Sequence, residues 1–92
     1  MEKTRAHLII EGRVQGVFFR HHTYRKALEL GVTGWVKNRW DGTVEAVFEG
    51  EKDRVDRIVQ WCYRGPSEAR VTRIDLQWED YKGEFDDFRI TY

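Results

Sequence analysis

Hydrophobic and polar positions change their period along the chain, and each change marks an element. From Ala6 to Glu11 they alternate: Ala6, Leu8 and Ile10 fall on one side, His7, Ile9 and Glu11 on the other. A period of two is that of a strand with one face on a core. Ile9 on the second side predicts a central strand. Residues 21–30 place Tyr24, Ala27 and Leu28 at helical spacing, with Arg25, Lys26 and Glu29 outward and Gly31 as a helix stop. Val32 to Asn38 reads as a second strand. Thr43 to Glu49 reads as a third, with Val44, Ala46 and Phe48 inward and Thr43, Glu45, Val47 and Glu49 on the opposite, open face. Asp41-Gly42 between them predicts a hairpin, because tight hairpin turns need positive φ. Gly50 is expected to break the third strand.

Glu51 and Asp53 suit the first turn of a helix. Val55, Ile58, Val59 and Cys62 then recur at i, i+3, i+4 and i+7, the clearest amphipathic stripe in the sequence, stopped by Gly65-Pro66. Residues 70–78 read as a fourth strand with Ile74, Leu76 and Trp78 on one face. The polar run from Glu79 to Asp87, with Gly83 inside it, reads as a loop. Phe88, Ile90 and Tyr92 alternate with Arg89 and Thr91 in a short last strand.

The order is β-α-β-β-α-β plus a short C-terminal edge strand. Half-polar strands predict a mainly antiparallel sheet covered on one face, with both helices on that face. This is an α+β, ferredoxin-like sandwich, expected as a single domain over residues 1–92. The first β-α-β unit is a right-handed crossover, which leaves strands one and two parallel with their C-terminal ends together. With the third strand between them, Asn38 is expected to face the loop after strand one across roughly 10 Å, two strand spacings.

Composition narrows the partners. Lys+Arg and Asp+Glu number 16 each, which argues against a nucleic acid backbone or an anionic membrane as main partner. No apolar run of ~18 residues is present, so no membrane span is expected, nor a basic-then-apolar leader. One cysteine, Cys62, cannot form an internal disulfide and fits the cytoplasm. The charged fraction of 35% exceeds the ~25% of ordinary domains, while Asn, Cys and Met occur once each. That balance is similar to proteins of hot environments.

Candidate chemistry lies in Gly12-Arg13-Val14-Gln15-Gly16-Val17-Phe18-Phe19-Arg20, between the first strand and the first helix. A glycine-bearing loop that opens a helix aims backbone N–H groups at one point, where the helix dipole adds positive charge. Such a place binds phosphate, and Arg20 offers a guanidinium fork matched to phosphate oxygens. Gly16 serves either as a turn glycine or for close phosphate approach. The pair His21-His22 has no partner cluster spaced for zinc and is read as flanking the pocket, not as a metal site. Cys62 is read as a buried core thiol and Trp35, Trp61 and Trp78 as core or rim packing, while Trp40, near Asn38 in the hairpin, is left open between a packing role and the lining of the pocket mouth.

The same stretch, Gly12 to Arg20, resembles the first signature of the acylphosphatases. Gly34-Trp35-Val36-Lys37-Asn38, with Gly42, Val44 and Gly50 at matching spacing, resembles the second; Gly65-Pro66 and Phe88-Arg89-Ile90 are also similar to that family. The resemblance covers essentially the whole chain. It implies hydrolysis of small-molecule acyl phosphates without metal or cofactor. It also implies a phosphoryl-binding loop of Gln15, Gly16, Val17, Phe18, Phe19 and Arg20, with Arg20 as phosphate ligand and Asn38 positioning water. A monomer acting on a small molecule, with no nucleic acid or membrane partner, is expected.

The chemistry suits so few groups. An acyl phosphate releases a carboxylate, whose conjugate acid has a pKa of about 4, so no general acid is needed. With a loose transition state the water need only be aligned. Asn38 offers an acceptor and a donor and is neutral toward a nearly dianionic substrate. Two other readings compete. An RNA-binding module places aromatic and basic residues on the open sheet face; Glu45 and Glu49 there disfavour it. A regulatory domain that binds phosphate without turnover differs only in an assay.

Overall fold

The alternating run at the start of the chain forms strand β1 (Lys3–Arg13), extended at both ends beyond the apolar alternation. It is followed by α1 (Phe19–Leu30), β2 (Thr33–Asn38), β3 (Val44–Glu51), α2 (Lys52–Arg64), β4 (Arg70–Glu79) and β5 (Phe88–Thr91). The structure is a computed structural model and describes residues 2–92. The strands make one sheet in the order β4-β1-β3-β2-β5. All neighbours are antiparallel except β2 and β5, which run parallel. Thus β1 is central and β3 separates it from β2, as the pattern predicts.

Under the helices the sheet presents Ala6, Leu8 and Ile10 from β1, Val36 from β2, and Val44, Ala46 and Phe48 from β3, all fully buried. Helix α2 meets them with Val55, Ile58, Val59 and Cys62, each at 0% exposure. A side chain of this kind contributes ~1.5–3 kcal/mol when fully buried, so this stripe is the main anchor of α2. Burial pushes the Cys62 thiol pKa up, as an inert core residue requires. Among the described residues no helix is long and apolar enough to cross a membrane.

Helix α1 departs from its expected face. It begins at Phe19 and buries Phe19, Thr23, Ala27 and Leu30, whereas Leu28 is 56% exposed. The stripe is set by Phe19, whose ring packs on Trp61 with centroids 5.6 Å apart. Thr23 fits beside it by donating its hydroxyl to Phe19 O at 2.8 Å. Strand β3 also differs: it runs through Gly50, which pairs with Thr4, to Glu51, so Gly50 does not break it. The hairpin closes with Gly42 N donating to Arg39 O at 3.2 Å and Arg39 N to Thr43 O at 2.8 Å. Gly42 alone takes positive φ there, at 92°.

The face away from the helices is not simply open. Glu49 is fully buried, and Val47 nearly so. Glu49 meets Arg5 at 3.1 Å and accepts from the backbone N–H of Lys82 at 2.9 Å and of Glu84 at 3.3 Å. Arg5 also reaches Glu79 and Glu84 and lies over the Phe85 ring. Desolvation disfavours the Arg5 charge, but the hydrogen bonds to Glu84, Glu49 and Glu79 outweigh it and hold its pKa above the ordinary value. The polar segment after β4 is therefore a strap over this face. Glu49 is not a solvated acid facing a prospective partner, which removes half of the charge argument against RNA. Glu45 keeps its half, half-buried and 2.6 Å from His7.

Candidate active site

Residues 14–18 join β1 to α1. Val14 and Val17 turn inward and are buried, which pins the loop to the core at two points. Between and after them the backbone takes positive φ, 76° at Gly16 and 61° at Phe18. A side chain in the left-handed region costs ~1–2 kcal/mol, and Phe18 carries it with its ring 72% exposed. Phe18 is the N-cap residue of α1 and makes no side-chain cap. The first bond into the helix is His22 N to Phe18 O, 3.1 Å, so the N–H groups of Phe19, Arg20 and His21 precede the intrahelical ladder. No acid occupies this first turn. Arg20 stands there instead, a placement that opposes the dipole unless an anion joins it.

Gly16, Phe18, Phe19 and Arg20 line one cleft of 280 Å³ with Asn38 from the end of β2. Val14, His21, Ile90 and Tyr92 complete its wall. Arg20 makes no ion pair among the described residues, and its guanidinium lies 5.4 Å from the centroid of the Tyr92 ring. Asn38 Oδ1 is buried and has no hydrogen-bond partner among the described residues. A buried polar atom without a partner is uncommon and costly. Asn38 lines the same cleft as Arg20 and the start of α1, a set of groups suited to an anion and a water.

Gly12 is corrected outright, and the places of Gln15, Val17 and the histidine pair are sharpened. Gly12 does not belong to the loop: it lies in β1 at a bulge against β4, φ 126°, where a Cβ would fall 2.1 Å from Arg70 O. Its glycine is required by close approach of two strands. Gln15 and Val17 do not line the cleft. Val17 is a core anchor, and the Gln15 side chain donates to Arg39 O at 2.7 Å and Thr43 O at 2.9 Å across the hairpin. Of the histidine pair, only His21 reaches the cleft wall. Trp40, 96% exposed at the hairpin tip, lines a neighbouring groove with Lys37, Arg39 and Glu45, which meets the cleft at Asn38 and Tyr92.

Ile90 and Tyr92 were not legible as site residues. Their presence follows from β5 pairing in parallel with β2, Val36 opposite Ile90, which carries the end of β5 to the same edge as Asn38. The alternation of Phe88, Ile90 and Tyr92 indicated a strand but not its neighbour.

A split β-α-β sandwich whose loop, helix start and second strand meet at one cleft is a small α+β domain of the ferredoxin-like class. Comparison with known proteins makes this specific. The acylphosphatase family model matches residues 6–90. The chain is 51% identical over 92 residues to an acylphosphatase of Pelotomaculum thermopropionicum, covering all of both. It is 57% identical over 90 residues to one of Geobacter sulfurreducens, covering 98% of this chain and 99% of that one. The crystal structure of acylphosphatase from Bacillus subtilis superposes with a TM-score of 0.92 at 34% identity, covering 97% of this chain and 99% of that one. The chain belongs to the acylphosphatase family, hydrolases of acyl phosphates.

Proposed function

We propose that the enzyme holds the phosphoryl group of an acyl phosphate with Arg20 and backbone N–H groups of the 15–20 loop, while Asn38 aligns the attacking water. The water oxygen bonds to phosphorus in line with the breaking P–O bond to the acyl group. The bond electrons leave with the carboxylate, and the water's protons remain on phosphate and solvent. No acid needs to protonate a leaving group of such low basicity, and no metal is assigned a role. Guanidinium and amide donors stabilise the equatorial oxygens, and each well-aimed donor is worth ~10²–10³ in rate. The observation that carries this reading is that one cleft is lined both by Asn38, whose Oδ1 has no partner among the described residues, and by Arg20, which has no ion pair among them. We place the reaction in the cytoplasm and assign it to a monomer.

Hydrolysis of benzoyl phosphate in excess chelator tests it. Turnover is expected, with Arg20→Gln losing both substrate affinity and rate and Asn38→Ala losing mainly rate. A folded, fully active Asn38→Ala protein would remove the water-positioning role. Activity abolished by chelator would remove the metal-free chemistry.

A further inference from the structure

Asn38 and the phosphoryl cradle belong to different segments, and the strand pairing that joins them through β3 reaches Asn38 but stops short of the cradle loop. The β1–β3 ladder ends at Ile10 opposite Val44, and the β2–β3 ladder ends at Asn38 opposite Val44. Beyond those rungs lie the 14–18 loop on one side and the exposed hairpin tip, Trp40 to Gly42, on the other. One side chain crosses between them. Gln15 Nε2 donates to Arg39 O at 2.7 Å and to Thr43 O at 2.9 Å, the two residues whose backbones close the hairpin. Among the described residues it supplies the only hydrogen bonds between these segments. The amide orientation is fixed by chemistry, since only an NH₂ group can donate to two carbonyls at once. Each end of the link is one residue from the site: Gly16 follows Gln15, and Asn38 precedes Arg39.

We infer that Gln15 is a positioning residue that sets the distance between the phosphoryl cradle and Asn38. The inference rests on the mechanism proposed above. The Gln15 side chain touches neither phosphate nor water in it; it holds their two binding segments in register. Aligning a nucleophile requires placement finer than about 1 Å, and a misplacement of that size costs about 10²-fold in rate. Binding of phosphate, in contrast, depends on the loop and Arg20, which sit on one side of the link.

The test is a double-mutant cycle between Gln15→Met and Asn38→Ala, read with benzoyl phosphate turnover and with inorganic phosphate as the binding probe. Methionine keeps the length of glutamine and removes both donors. The expected result is a kcat lowered about 10–100-fold in Gln15→Met, with phosphate affinity within about threefold of the unaltered chain. In the Asn38→Ala background, Gln15→Met should change kcat less than about twofold, because the group it positions is gone. Losses that multiply in the double variant, or phosphate affinity that falls in step with kcat, would overturn the inference. If Gln15→Met does not fold, Gln15→Asn carries the same cycle, since its amide is one methylene too short to span both carbonyls. An unaltered chain that turns over no acyl phosphate overturns the hydrolytic reading itself, and this inference with it. An active chain with an additive cycle overturns the inference alone.

Discussion

The guanidinium of Arg20 lies over the ring of Tyr92, 5.4 Å from Cζ to the centroid, and it pairs with no carboxylate among the described residues. The contact steadies a cation that is otherwise free to face the cleft. Arg20→Lys keeps the charge but loses the planar fork, and kcat/KM should fall about 10²–10³-fold. Tyr92→Ala should raise the phosphate dissociation constant by about two- to fivefold, the worth of an exposed cation–π contact. Its melting temperature should be unchanged, because Tyr92 is 97% exposed. Isothermal titration with phosphate and steady-state kinetics check both.

Arg5 and Glu49 fasten the 80–87 strap to the sheet. Replacing Arg5 by Met leaves the Glu49 carboxylate buried with two backbone donors but no counter-charge. We expect about 3–5 kcal/mol of lost stability in urea denaturation. The cleft lies elsewhere, so kcat of the folded fraction should be retained.

Gly12→Ala should destabilise by more than about 2 kcal/mol, since the new Cβ meets the Arg70 carbonyl at 2.1 Å and the backbone has φ 126°. The β1–β4 bulge must then open, which amide exchange along residues 70–73 would register.

Asp41 is held below the ordinary carboxyl pKa by the Thr43 hydroxyl, at 2.6 Å, and then by the Thr43 N–H, at 3.1 Å. A carboxyl whose pKa is lowered on folding adds stability above its unfolded pKa and loses it as pH falls through the folded one. In Thr43→Val the hydroxyl bond is gone, so the Asp41 pKa should rise toward the unfolded value. Carboxyl-detected NMR titration measures the shift, and no rise would remove the hydroxyl as its cause.

The charge-rich, amide-poor composition leads us to expect a melting temperature above the ~45–65 °C of mesophile domains. Calorimetry checks it, and an ordinary value would detach that composition from heat.

Helix α2 was legible because four apolar residues at one spacing face one core. The meeting of the loop after β1 with Asn38 at one cleft was legible because the crossover leaves β1 and β2 parallel with β3 between them. Helix α1 was misread at its face. Phe19 is apolar but lies in the loop motif, Thr23 is polar but buried through a bond to its own helix, and Leu28 is apolar but exposed. Periodicity sees hydrophobicity, not which residue starts the stripe. The burial of Glu49 left no trace either, because it depends on Arg5, 44 residues away, and on a polar strap with no period. Gln15 was placed in the loop by its position, yet its side chain answers carbonyls 24 and 28 residues on.

The parallel pairing of β5 with β2 has a consequence for assembly. The cleft draws on Val14 near one end of the chain and Tyr92 at the other. No fragment that lacks β5 contains the whole wall, and contacts so distant in sequence form late for entropic reasons. Turnover should therefore return in refolding only with the last kinetic phase, after helical signal is restored, so that catalysis serves as a reporter of complete topology.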